Sequence, residues 1–195
     1  MTAGRSNVEV VSQHWCTPPK YVNLIREFFG GTIGLDPCSN QYSIVNATVE
    51  YRLPHSDGLV EPWDASTIFV NPPYGRDRER GTGIRDWLRR CSEARSQHNA
   101  EVLALVPVAT NTRHWKNFVF GAADGVAFLY DTRLRFLENG RDTGKGAPMS
   151  CAMVYWGQRY DRFEEMFLPF GAVVNLKHLH SKLIGKGTQC LALSF

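Results

Sequence analysis

The sequence predicts a three-layer α/β fold built on a mainly parallel central sheet. Two observations carry this reading. Short runs rich in β-branched and aromatic residues alternate with amphipathic stretches of helical period, and the polar or proline-bearing motifs follow those runs at their carboxyl ends. The clearest case is Ile68-Phe69-Val70, a buried strand stopped by Asn71-Pro72-Pro73-Tyr74-Gly75. Two prolines fix φ and remove two backbone donors, and Pro72 pushes Asn71 out of helical geometry, so the strand ends in a rigid turn. That turn carries an amide, a free carbonyl and an exposed aromatic ring at the edge of the sheet where open α/β folds bind ligands.

Taken in order, residues 1–13 are polar and expected to be loose. Thr17 is placed to cap, and Pro18 to occupy the first turn of, a helix from Pro19 to Phe29 that Gly30-Gly31 ends. Trp15 before it is either a core aromatic or one wall of a purine pocket. Thr32 to Leu35 reads as a short strand closed by Asp36-Pro37-Cys38-Ser39, in which Asp36 either caps a turn or brings an acid to the ligand edge. Ala47 to Tyr51 reads as a second strand, residues 55–59 as a loop whose Asp57-Gly58 forms a turn, and Trp63 as a lid over the core.

After the proline turn, a glycine- and arginine-rich loop (Gly75 to Gly83) leads into a helix from Ile84 to Ser96, apolar at Ile84, Trp87, Leu88 and Cys91. Val102 to Pro107 is a buried strand. Thr112 can cap a helix containing Trp115, Phe118 and Val119. Val126 to Tyr130 is another strand, with Leu134 to Leu137 pairing near it and residues 138–147 forming an exposed loop. Ser150 to Trp156, Asp161 to Phe167 and Ala172 to Leu176 read as strand, helix and last strand. The basic tail 177–195 has no assignable element. One domain fills residues 1–195, a length that supports a full core but is short for two.

Composition narrows the function. The chain is ordinary globular material, 43% apolar and 21% charged, and its net charge of +3 is too small to mark a nucleic-acid binder by itself. Distribution says more, because Arg76, Arg78, Arg80, Arg85, Arg89, Arg90 and Arg95 crowd the segment after the proline turn. Such a patch is either a phosphate footprint or the solvated face of a helix. Five cysteines without paired spacing argue against a disulfide framework and a metal cluster. No apolar run has the length of a membrane span and the amino terminus lacks a signal-peptide core, so a soluble protein of the reducing cytoplasm is expected, without a membrane partner.

The chemistry of the turn follows from its groups. The Asn71 side-chain oxygen and the Pro72 carbonyl are both acceptors, and two acceptors aimed at one spot select an NH2 group. The amino group of a nucleobase is a weak nucleophile because its lone pair is delocalised into the ring. Holding both hydrogens favours a tetrahedral nitrogen with a lone pair free to attack, which is catalysis by positioning and electrostatics. Tyr74 offers a face on which a flipped-out base can stack. The electrophile must come from a cofactor, and a methyl sulfonium is the natural one.

Asn71-Pro72-Pro73-Tyr74 resembles the catalytic motif of S-adenosylmethionine-dependent amino-methyltransferases. Trp15-Cys16-Thr17-Pro18, Leu35 to Ser39, Asp57-Gly58-Leu59, Trp63, Trp87, Leu105-Val106-Pro107 and Arg133-Leu134-Arg135-Phe136 occur in the order and spacing of the phage-type DNA N-6-adenine methyltransferases, across residues 12–157. The resemblance implies a Rossmann-like class I methyltransferase fold and methyl transfer from S-adenosylmethionine to the amino group of a flipped-out adenine in double-stranded DNA. It further implies a bacterial host cytoplasm and a phage or prophage origin. By the same resemblance, Asn71, Pro72, Pro73 and Tyr74 are catalytic, and Trp15, Thr17, Pro18, Asp36, Pro37 and Cys38 hold the cofactor. Asp57 closes that pocket or accepts from the adenine amino group.

Basic loops at 76–85, 113–116 and 133–145 supply DNA contacts through Arg76, Arg78, Arg80, Arg113, Arg133 and Arg135. The pattern departs from other methyltransferases in having Asp36-Pro37-Cys38-Ser39 where a glycine-rich loop follows the first strand, and Glu50 is a weak match to the acid that holds ribose hydroxyls. The rival readings are transfer to another nitrogen (cytosine N4, an RNA base or a protein glutamine) and a non-catalytic nucleic-acid-binding module.

Overall fold

The computed structural model describes residues 15–130 and 134–180. The expectations for residues 1–13, for Arg133 and for the tail beyond residue 180 lie outside the described residues. Among the described residues the elements follow one another as β1 (Trp15–Cys16), α1 (Pro19–Phe28), β2 (Leu35–Asp36), β3 (Val49–Glu50), β4 (Thr67–Val70), α2 (Ile84–His98), β5 (Glu101–Pro107), β6 (Gly125–Leu129), β7 (Leu137–Glu138), β8 (Arg141–Asp142), β9 (Cys151–Trp156), α3 (Tyr160–Phe167) and β10 (Gly171–Asn175); residues 177–180, expected to carry no element, are helical. A π-helix, Trp115–Phe120, lies between β5 and β6.

Seven strands form one sheet in the order β10-β6-β9-β5-β4-β2-β3. The β3/β2, β2/β4 and β4/β5 pairs are parallel, while β5/β9, β9/β6 and β6/β10 are antiparallel. Five strands therefore run one way and β9 and β10 run against them, so the sheet is mainly parallel as the sequence predicts. The other strands, β1, β7 and β8, make a separate three-stranded sheet.

The layering follows from the two-residue period of a strand. Phe69, Leu103, Leu105, Met153 and Tyr155 face α1 and α3, meeting Tyr21, Ile25, Phe28, Phe163 and Phe167 in one core. Their neighbours Ile68, Val70, Val102, Ala104, Val106 and Val154 face α2 and the π-helix, meeting Trp87, Leu88, Cys91, Trp115 and Val119 in the other. Strands buried on both faces have to be apolar at every position, which is why their sequence signal is strong.

Four expectations are corrected. Thr17 caps no helix: Pro18 is the N-cap of α1 and Pro19 opens it, since a proline needs no partner for a missing N–H at that position. Thr112 is not a cap either, because its hydroxyl lies 2.7 Å from the Ala109 carbonyl and 3.1 Å from His114 Nε2. Leu134 to Leu137 does not pair beside β6; Leu137 and Glu138 pair with β1 on one side and β8 on the other. The expected loop at 138–147 accordingly begins with a tight hairpin, turned at Asn139 and Gly140, both with positive φ.

Candidate active site

The chain changes its direction of travel across the sheet at β2. It steps outward from β2 to β3, then returns past β2 to β4 and on to β5. Loops leaving β2 and β4 at their carboxyl ends therefore diverge and open a crevice, the usual ligand position of an open α/β sheet. Asp36-Pro37-Cys38-Ser39 forms one bank and Asn71 to Gly75 the other. A cavity of about 140 Å³ lies between them, lined among others by Pro37, Cys38, Asp57, Gly58, Pro73 and Arg80. A second cavity, about 330 Å³, opens on the far side of the proline turn against Tyr74, Gly75, Arg76 and the start of α2.

On the first bank, Asp36 is 4% exposed and its Oδ1 accepts the Cys38 backbone N–H at 3.1 Å. Burial pushes its carboxyl up to about 7, with the Glu50 charge acting in the same direction and the Cys38 hydrogen bond opposing. Glu50, at the end of β3, faces this loop: its Oε2 accepts from Ser39 Oγ at 3.2 Å and its Oε1 from the Ala47 N–H at 3.2 Å, and it pairs with Arg52. Gly58 lies against the Pro37 backbone so closely that a Cβ there would fall 1.7 Å from the Pro37 carbonyl oxygen. Only a glycine fits at this contact, which joins the Asp57 turn to the Asp36–Ser39 loop from 21 positions downstream of Pro37.

On the second bank, Asn71 Nδ2 donates to the Trp15 carbonyl at 3.3 Å. A carbonyl only accepts, so the amide must present its nitrogen to β1, which orients Oδ1 away from it. The Tyr74 hydroxyl turns inward and donates to the Leu105 carbonyl at 3.2 Å, with Cys151 Sγ at 3.9 Å. Burial pushes that hydroxyl well above its ordinary pKa, with Cys151 adding to the effect, so Tyr74 is a neutral anchored ring and not a base. The ring is half-buried, less free than the exposed aromatic the sequence suggests. It meets Trp15 edge-on at 6.1 Å and Phe136 at 5.7 Å, while Trp15 stacks on Phe136 at 5.2 Å with 7° between planes.

Phe136 and the β7/β8 hairpin therefore complete this bank through Trp15, although residues 134–137 carry no periodic signal for it. Among the described residues, Trp15 Nε1 and Thr17 Oγ1 are buried polar atoms without a hydrogen-bond partner. Such groups normally find one, so a polar ligand at this edge would satisfy them.

The structure places the remaining expected residues differently from one another. Pro18 is the N-cap of α1, next to Thr17. Asp57 accepts the Leu59 N–H at 3.0 Å with Oδ1 and pairs with Arg80 Nη1 at 2.7 Å through Oδ2. Arg80 also pairs with Asp77 at 2.8 Å, so it points into the molecule. Arg76, Arg78, Arg113 and Arg135 are exposed. Burial, and then the charge of Arg85 at the start of α2, push His114 below its ordinary pKa. Among the described residues, no three His, Cys, Asp or Glu side chains converge to hold a metal ion, and no helix is long and apolar enough to cross a membrane.

Fold and crevice together define an α/β protein with a polar crevice at the switch-point edge of its sheet. The family model described as DNA N-6-adenine-methyltransferase (Dam) matches residues 5–185. The chain belongs to that family, and it is an enzyme that methylates adenine N6 in DNA. Comparison with the curated proteins and with the solved structures returned no match.

Proposed function

We propose that the chain is one Rossmann-like class I methyltransferase domain that draws its methyl group from S-adenosylmethionine and delivers it to a flipped-out adenine held at Asn71 to Tyr74. The observation that carries this reading is the pairing of two polar banks across the switch point, with Asn71 oriented by Trp15 and Tyr74 anchored to Leu105. The sheet order supports the class assignment, because one antiparallel strand, β9, is inserted between β5 and β6.

The residues present fit the cofactor. Thr17 Oγ1 and Trp15 Nε1 offer polar atoms without a partner among the described residues, and Pro37, Cys38, Asp57 and Pro73 line the cavity between the banks. Asp36 sets the shape of that loop through its bond to Cys38. When bound, S-adenosylmethionine supplies an electrophilic methyl group on a sulfonium.

The protein's own part is positional. Asn71 Oδ1 and the Pro72 carbonyl accept the two hydrogens of the adenine amino group and draw its lone pair out of the ring. The amino nitrogen gains a methyl and releases one proton to solvent. Tyr74 stacks on the base, an interaction worth about 1 to 3 kcal/mol. The exposed Arg76, Arg78, Arg113 and Arg135 contact DNA, Arg133 joins them by its sequence motif alone, and the short β7/β8 hairpin takes the place of a separate recognition domain. A DNA-modifying enzyme of this kind works in the cytoplasm, and the motif set fits a phage or prophage gene.

Two titrations test the reading. S-adenosylmethionine and S-adenosylhomocysteine should bind in calorimetry, and Thr17→Val should weaken both. A duplex carrying 2-aminopurine at the target position should brighten on binding as the base leaves the stack. Absence of cofactor binding at millimolar concentration, or a 2-aminopurine that stays silent in a bound duplex whose adenine counterpart is methylated, would overturn the corresponding half.

A further inference from the structure

Between the two cavities runs the loop 75–83, and one of its arginines, Arg80, is turned toward Asp57. Arg80 spans two acids from separate segments: Nη1 meets Asp57 Oδ2 at 2.7 Å and Nε meets Asp77 Oδ2 at 2.8 Å. Asp77 is itself fixed, since its Oδ1 accepts the Arg80 N–H at 3.0 Å and its own N–H donates to the Thr82 carbonyl at 2.9 Å. Asp57 is held in its own turn by Leu59. The Arg80 side chain is only 25% exposed, so this fork is shielded far more than an ordinary surface ion pair. Burial works against its charge, yet the two carboxylates outweigh it and raise the Arg80 pKa.

The same side chain lines the cavity bounded by Pro37, Cys38 and Gly58, while Gly81, Thr82 and Gly83, immediately after it, line the cavity beside Tyr74. From this we infer that Arg80 is a positioning residue that couples the cofactor side to the DNA side, and that it is not a phosphate contact. The inference rests on the cofactor reading above. A ligand that settles the Asp57 turn settles Arg80, and Arg80 sets the loop whose next three residues wall the base-side cavity. Binding on one side then favours binding on the other, and thermodynamic linkage makes the effect reciprocal. Lysine cannot replace this arrangement, because one ammonium lacks the planar fork that reaches two carboxylates.

The test measures the affinity of a methylatable duplex with and without saturating S-adenosylhomocysteine. The unaltered protein should gain at least about fivefold in DNA affinity when the cofactor product is present. Arg80→Ala and Arg80→Lys should bring that ratio close to one, while the salt dependence of DNA binding stays as in the unaltered protein, because no phosphate contact is lost. Arg80→Lys preserves the charge and serves if Arg80→Ala unfolds, with thermal midpoints recorded for both. A ratio unchanged in the folded variants, no ratio above one in the unaltered protein, or a salt slope reduced by about one unit would overturn the inference. Failure of the unaltered protein to bind S-adenosylhomocysteine at all would instead overturn the cofactor reading, and the coupling with it.

Discussion

Substituting Gly58 by alanine should break the Asp36–Ser39 bank, proposed above to hold the cofactor, from outside it. The added Cβ would meet the Pro37 carbonyl oxygen at 1.7 Å and its carbonyl carbon at 2.6 Å. Comfortable contacts need about 3.5 Å or more, so the two backbones must part by roughly 1.5 to 2 Å. Gly58 cannot easily retreat, because its carbonyl accepts the Trp63 indole N–H at 2.7 Å and Trp63 is 2% exposed. Pro37 must therefore move, carrying Asp36 and Cys38 with it. Overpacking plus a strained buried hydrogen bond should cost about 2 to 4 kcal/mol, read as a lower urea midpoint. Affinity for S-adenosylhomocysteine, read by calorimetry, should fall by at least about tenfold, since contact geometry at the ångström scale is lost. Gly34→Ala is the control: its Cβ would press on the Thr67 carbonyl at 2.8 Å, at the amino end of β2 and β4 and away from the crevice. It should destabilise the protein yet leave that affinity near normal. Normal cofactor-product binding by a folded Gly58→Ala protein would refute the reasoning.

Other expectations are equally direct. Asp36 keeps a proton in the native state up to about pH 7, whereas the unfolded chain releases it near pH 4. Its stabilising contribution is thus complete below about pH 4 and is lost as the pH rises through 7, by at most about 4 kcal/mol. Asp36→Asn should flatten that decline in urea midpoints between pH 5 and 8, and an unchanged slope would refute the assignment. Tyr74→Phe removes the bond to the Leu105 carbonyl and should cost about 1 kcal/mol of stability while retaining transfer. Tyr74→Ala also removes the stacking face and should raise the KM for DNA by roughly 10- to 100-fold; equal effects of the two substitutions would rule out stacking.

How much of this was legible depended on where each signal resides. Val102 to Pro107 and Ser150 to Trp156 announce buried strands because both of their faces are covered, and Ile84, Trp87, Leu88 and Cys91 announce α2 because one face packs on the sheet. The rigid turn after Val70 is local too, being written in two prolines. What escaped is long-range. β1 and β7 are two residues each, too short for any period, and their pairing of Trp15 with Glu138 links distant parts of the chain. Phe136 belongs to the site only through that pairing. Arg80 looks like its neighbours in a run of arginines, and only the fold brings Asp57 to it. Gly58 reads as a turn residue until Pro37 is seen packed against it.

Methyl transfer from S-adenosylmethionine to the amino nitrogen of adenine at the Asn71 to Tyr74 turn, as proposed above, is open to direct test. The most direct measurement incubates duplex DNA of known sequence with methyl-labelled S-adenosylmethionine, then maps and identifies the modified bases for the unaltered protein and for Asn71→Ala. Label should appear as N6-methyladenine within a short recurring sequence, and Asn71→Ala should abolish it while still binding S-adenosylhomocysteine. Label on cytosine, RNA or protein in place of adenine, or near-normal turnover by Asn71→Ala, would contradict the account.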